Sequence, residues 1–158
     1  MPQSNTLSPL SFHQLNLKES FTILIKRIII VLAKWCPHCI PLSLQNTKRM
    51  AKEFGVPLRI LDKDVPSQLR VADTLVEKHG DWSEDYIIPQ VFIEYVDGRV
   101  CHILTGSTEG ISATEALWEK FLASSHYKAL IREHSVSTHK QTKTSSKKIE
   151  KKVSTHMY

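Results

Sequence analysis

The stretch Arg27-Ile28-Ile29-Ile30-Val31-Leu32-Ala33-Lys34-Trp35-Cys36-Pro37-His38-Cys39 decides how this chain is read. Its first eight residues form a continuous apolar, β-branched run between two basic ends, the pattern of a strand buried on both faces of a sheet. Two cysteines with two residues between them follow at once. Such a pair can close a disulfide when the first sits on the last loop residue and the second on the opening turn of a helix. There, free backbone N–H groups and the positive end of the helix dipole favour the thiolate of Cys36, the form that attacks disulfides. Pro37 suits a first helical turn, where its missing N–H is not needed. His38 adds a donor or a positive charge near the sulfur. Cys36 is therefore the expected nucleophile and Cys39 the resolving thiol.

Two other uses of the pair compete with redox chemistry. Half of a zinc site needs two further Cys or His ligands at knuckle-like spacing; the eight histidines form no such second pair, and Cys101 stands alone. A purely structural disulfide across two residues would close too small a loop to restrain the unfolded chain much. Redox use leads.

Outward from this stretch, 158 residues suit one domain with extensions. Hydrophobic content of 41% and charged content of 23% are those of a globular protein. The net charge of +5 is concentrated at the C-terminus: Lys140 to Lys152 holds six lysines against Glu150. Basicity therefore says little about what the domain acts on. Three cysteines argue against a secreted disulfide framework and for a reducing, cytoplasmic setting. The apolar run from Phe21 to Ala33 is broken by Lys26 and Arg27 and is too short to span a bilayer. Its flank lacks a basic leader, and no small-residue cleavage site precedes Cys36, which argues against a signal peptide.

Residues 1–20 read as an N-terminal extension in which Phe12, Leu15 and Leu17 could form a short helix against the domain surface. A domain follows over 21–132. Pro37 to Phe54 has roughly helical spacing at Ile40, Leu44, Met50 and Phe54, with Pro41 bending the helix and Gly55 and Pro57 ending it. Leu58 to Asp62 alternates as a second strand. Pro66 opens a helix with an inner stripe of Leu69, Ala72, Leu75 and Val76, closing near His79-Gly80. Asp81 to Asp85 is a polar loop around Trp82. Ile87 to Tyr95 and Arg99 to Leu104 are strands joined by the hairpin turn Asp97-Gly98. Ser112 or Thr114 would cap a last helix running to about Ile131, with Leu117, Phe121 and Leu122 inward. The order strand, helix, strand, helix, hairpin, helix predicts an α/β fold. Its centre is a four-stranded mixed sheet flanked by helices on both faces, with Cys36 at the carboxyl end of a central strand. Residues 133–158, rich in Ser, Thr, Lys and His, read as a basic, disordered tail.

Three motifs in this order resemble the thioredoxin/glutaredoxin family. Leu32-Ala33-Lys34-Trp35-Cys36 resembles the thioredoxin lead-in, Ile88-Pro89-Gln90-Val91-Phe92-Ile93 the glutaredoxin strand that begins with a cis-proline, and Cys36-Pro37-His38-Cys39 the dipeptide choice of DsbA-like thiol oxidants. The resemblance spans about Arg27 to Ile131 and implies a thioredoxin-like fold. It implies that Pro89 is cis, that Ile88 offers backbone groups to a substrate strand beside Cys36, and that Trp35 shields the sulfur and presents a flat contact surface. Two positions depart from the family pattern. Thioredoxins carry a buried acid six residues before the nucleophile, where this chain has Ile30. The glutathione-binding Gly-Gly-acid pattern is reduced to Thr105-Gly106-Ser107-Thr108-Glu109.

On these grounds the expected activity is thiol–disulfide exchange with protein disulfides or dithiols, using no cofactor beyond the Cys36–Cys39 couple. A reductase or a low-molecular-weight thiol would supply electrons. The alternative is a thioredoxin-fold binding module, or a metal or cluster carrier, that uses the same thiols without turnover. Cys101 reads as a core or half-buried thiol, and His79 and His102 as surface residues. The basic tail carries no base-reading motif, so no specific nucleic-acid or membrane partner is expected.

Overall fold

The computed structural model describes residues 24–135. Strand β1 (Ile25–Leu32) is the centre of a four-stranded sheet whose other strands are β2 (Leu58–Asp62), β3 (Gln90–Tyr95) and β4 (Val100–Thr105). The order across the sheet is β2-β1-β3-β4. β1 pairs in parallel with β2, Ile30 opposite Ile60 and Leu32 opposite Asp62. On its other edge it pairs antiparallel with β3, Ile30 opposite Val91. β3 and β4 form the antiparallel hairpin around Asp97-Gly98, with a register shift between Val91 and Phe92.

Alternation along β1 divides the interior into two layers. Ile28, Ile30 and Leu32 face a cluster completed by Met50, Ala51 and Phe54 of helix α1 (Leu44–Phe54), Trp118 of helix α3 (Ile111–Leu122), and Tyr127 and Leu130 of the segment 125–135, helix α4. Ile29 and Val31 face a smaller cluster with Leu61, Phe92, Tyr86, and Ala72 and Val76 of helix α2 (Pro66–His79). Both faces of the sheet are therefore covered, as the apolar run in β1 requires.

The structure corrects three expectations about the helices. The helix expected from Pro37 begins only at Leu44. Ile40 adopts an extended conformation (φ −127°, ψ 125°), because the ring of a following proline crowds the α region of the residue before it, and Pro41 has no N–H to continue the ladder. Residues 39–43 form a wide turn instead, in which the Leu44 N–H reaches back to the Cys39 and Pro41 carbonyls. The last helix is two: α3 stops at Leu122, and Ser124 caps α4, its hydroxyl accepting the Tyr127 N–H at 3.1 Å. Within α3 the buried face is Thr114 and Trp118, whereas Leu117 is 39% exposed. Trp118 turns inward because its indole N–H finds the buried Ser43 hydroxyl at 2.8 Å.

The ordered domain reaches past the expected boundary at residue 132. His134 is buried; its Nδ1 accepts the Ile25 N–H at 3.2 Å and its Nε2 donates to the Phe54 carbonyl at 2.7 Å. It ties the start of β1 to the end of α1. The expected N-terminal helix at Phe12, Leu15 and Leu17 and most of the basic tail lie outside the described residues.

Gly80 sits where α2 hands over to the loop before β3. A Cβ there would lie 2.4 Å from Gln90 Oε1 and 2.8 Å from Phe92 Cζ, and both neighbours are fully buried. Gly80→Ala is expected to lower stability by about 1–3 kcal/mol, the usual cost of overpacking. The check is the urea midpoint at unchanged slope.

Candidate active site

β1 ends at Leu32, and the chain turns over the carboxyl end of the sheet through Ala33 to Cys39. The turn is closed by its own backbone: the Cys36 N–H donates to Ala33 O, and the Cys39 and Ile40 N–H groups both donate to Cys36 O, each at 3.1 Å. Lys34, Trp35 and Pro37 are exposed, Trp35 at 70%. Cys36 retains only 4% of its surface and Cys39 none.

The leading thiol is therefore far less open than the sequence suggests. With α1 starting at Leu44, the pair sits ahead of an extended residue rather than on the first turn of a continuous helix, and the turn's N–H groups are taken up by the Ala33 and Cys36 carbonyls rather than aimed at the sulfur. Ala33, Cys36 and Cys39 belong to the layer beneath α1 and α3. Cys36 lies at the upper edge of that layer, between two exposed chain neighbours.

Both cysteines are free thiols in the structure. The Cys39 thiol is pushed far above its ordinary value, first by burial and then by hydrogen bonding to the Cys36 side chain. The Ala33 backbone opposes the shift, and the charge on a Cys36 thiolate adds to it. The two sulfurs are thus unlike: Cys39 is held as the thiol. Ile30, at the position where the resembled family carries an acid, is fully buried among hydrocarbon.

The second wall is the loop before β3. Cys36 Sγ lies 4.0 Å from the Ile88 carbonyl oxygen. The Ile88–Pro89 peptide is cis, as is Ile40–Pro41. Gln90, fully buried, holds this loop: its amide donates to the Asp81 and Ile87 carbonyls, and its oxygen accepts the Asp81 N–H, all at 3.0 Å. Three satisfied bonds on one buried amide fix the backbone on either side of Pro89. Gly106 closes from the far side; its N–H donates to Pro89 O at 2.9 Å, and a Cβ would lie 2.7 Å from Pro89 Cδ. Only a residue without a side chain permits that approach.

The third wall is α3. His38 Nδ1 lies 2.8 Å from Thr114 Oγ1. The His38 carbonyl accepts the Ser43 hydroxyl at 2.7 Å, and Ser43 in turn accepts Trp118 Nε1. Thr114, expected as a possible cap, lies inside the first turn of a helix that starts at Ile111, and the sequence gives no sign of the roles of Ser43, Trp118, Gln90 and Gly106 here. Partners so far apart in the chain leave no local spacing signal.

The remaining candidates lie elsewhere. Cys101 is half-buried in β4, and His79 is exposed. His102 is half-buried against Phe92, with Nε2 2.7 Å from Thr105 Oγ1, rather than a free surface residue. Burial pushes its imidazole below the ordinary value, with Asp81 opposing. Among the described residues, no group of three or more His, Cys, Asp and Glu side chains gathers as a metal cage, and no helix is long and apolar enough to cross a membrane. No family model, curated protein or solved structure matches this chain.

The raised thiol and phenols set a pH dependence. Cys39 starts from 9.0, and Tyr86 and Tyr127 from 10.0; burial raises all three well above those values. The unfolded chain then releases protons that the folded chain keeps, so stability is complete below pH 9 and falls as pH rises past 9.0 and then 10.0. Urea midpoints at successive pH values should decline above 9, and Cys39→Ser should flatten the first part of that decline.

Proposed function

We propose that this chain is a thioredoxin-like disulfide oxidoreductase that acts on protein disulfides through Cys36 and Cys39. The observation that carries the reading is a pair of free thiols, Cys36 and Cys39, in the turn at the carboxyl end of β1, the leading one 4.0 Å from the carbonyl before a cis-proline. The sheet order β2-β1-β3-β4, with only β3 and its neighbours antiparallel, agrees with a thioredoxin-like fold.

In the reducing direction, the Cys36 thiolate attacks one sulfur of the substrate disulfide. A Cys36–substrate bond forms, the substrate S–S bond breaks, and the departing sulfur leaves with the electron pair as a thiolate. Cys39 gives up its proton to that thiolate or to water and attacks Cys36 Sγ, releasing the second substrate thiolate. Two electrons pass to the substrate, and the enzyme is left with a Cys36–Cys39 disulfide. An external reductase or small thiol resets it, and the same steps in reverse oxidise a dithiol. The asymmetry of the sulfurs fits this order: a buried Cys39 thiol does not compete with Cys36 for the first attack. Exposed Trp35 and the backbone of Ile88 would receive the substrate segment.

The burial of Cys36 favours a second reading, a binding module whose thiols hold a partner and turn nothing over. Insulin disulfide reduction with dithiothreitol separates the two. Under the oxidoreductase reading, wild type accelerates turbidity, Cys36→Ser abolishes the acceleration, and Cys39→Ser accumulates a mixed disulfide visible by mass spectrometry. Acceleration that survives Cys36→Ser would sink the mechanism, and a wild type without any acceleration would leave the binding module as the better account.

A further inference from the structure

Thr114 is fully buried in the first turn of α3, and its hydroxyl meets three groups. It accepts the Ser107 N–H at 2.9 Å, lies 2.8 Å from His38 Nδ1, and faces the Gly110 carbonyl at 3.4 Å. A hydroxyl has one proton and two acceptor sites. Ser107 occupies one acceptor site, so the hydroxyl proton has two places to go.

When His38 is neutral, the shorter contact takes the proton: Thr114 donates to Nδ1, and the ring's own proton is on Nε2. When His38 is charged, Nδ1–H donates to Thr114 Oγ1, and the hydroxyl proton turns to Gly110 O. The anchor survives both charge states. A carboxylate in the same place would favour only the charged ring. The backbone end of the residue is held separately: the Ser43 hydroxyl donates to the His38 carbonyl and itself accepts the Trp118 indole N–H.

We infer that Thr114 is a positioning residue for His38. It commits Nδ1 to the protein in either charge state, so the ring gains or loses its proton at Nδ1 while Nε2 keeps its N–H as a fixed donor. The inference rests on the oxidoreductase reading for its consequence, but the hold itself is a property of the reduced protein.

Two measurements test it. In long-range 15N NMR of the reduced chain, neutral His38 is expected as the Nε2–H tautomer. Thr114→Ser should keep that tautomer and Thr114→Val should mix the two; a wild-type Nδ1–H tautomer overturns the inference. The second is the equilibrium constant of the Cys36–Cys39 couple against glutathione. Thr114→Val is expected to shift it about 2–10-fold, the worth of one ordinary hydrogen bond, while Thr114→Ser stays near wild type. In a His38→Ala background, Thr114→Val should add nothing. An undiminished shift there would mean that Thr114 acts through the Ser107 loop, and the inference fails. Failure of the couple to form a disulfide at all would overturn the oxidoreductase reading, and the tautomer spectrum would then decide the hold of Thr114 by itself.

Discussion

Hydrogen bonding along both edges of β1 is the constraint on which the rest of this structure depends. β1 is parallel to β2 on one side and antiparallel to β3 on the other, so its register is fixed twice. A one-residue slip would exchange Ile28 and Ile30 with Ile29 and Val31 and empty both layers of the core. Each of these side chains is almost wholly buried and contributes on the order of 1.5–3 kcal/mol by leaving water. Such a strand delivers its carboxyl end to one place only. The turn from Ala33 to Cys39 inherits that precision, although it has no regular structure of its own.

The turn then departs from the simplest arrangement. A continuous helix from Pro37 would aim a row of N–H groups at Cys36. Pro41 prevents it, because Ile40 is driven out of the helical region and α1 restarts at Leu44. The Cys36 carbonyl takes two N–H groups of the turn, which closes the backbone but leaves them unavailable to the sulfur, and α3 supplies from outside the hold that a helix would have supplied from within. Thr114 and Trp118, one helical turn apart on the buried face of α3, hold His38 at two ends, Thr114 at its side chain and Trp118 through the Ser43 hydroxyl that bonds its carbonyl. A tight turn that is not a helix can thus be kept rigid by a helix elsewhere.

How much of this is legible in the sequence follows from the range of the forces involved. β1, β2, α2 and the hairpin are signalled by periodicity, by Pro66 at a helix start and by Asp97-Gly98, and the structure has their ends within two residues, except that β3 starts at Gln90, three residues after the expected Ile87, once the cis-proline is passed. The candidate pair itself is visible because four consecutive residues carry it. What escapes is set by contacts distant in sequence. Leu117 and Trp118 are both apolar, and only the Ser43 hydroxyl, 75 positions away, decides which turns inward. Gln90 reads as an ordinary polar residue in a strand until the carbonyls of Asp81 and Ile87 are seen to converge on it. The burial of Cys36 is likewise a sum over layers that no window of neighbours contains.

That burial bears directly on chemistry. Thiol–disulfide exchange needs the attacking sulfur in line with the bond it breaks, and a thiol with 4% of its residue surface open admits few approach directions. One boundary of the approach is the Ile88 carbonyl, 4.0 Å from the sulfur. Under the proposed activity, an extended segment laid along the Ile88 backbone would reach the sulfur where a folded globular surface would not, its own N–H and C=O groups pairing as an added strand would. Selectivity would then arise from backbone geometry before any side chain is read. Under the proposed activity, the burial that restricts access to Cys36 would also hold Cys39 as a thiol until the first bond had formed, so restriction of substrate and ordering of the two sulfurs would have a common physical origin.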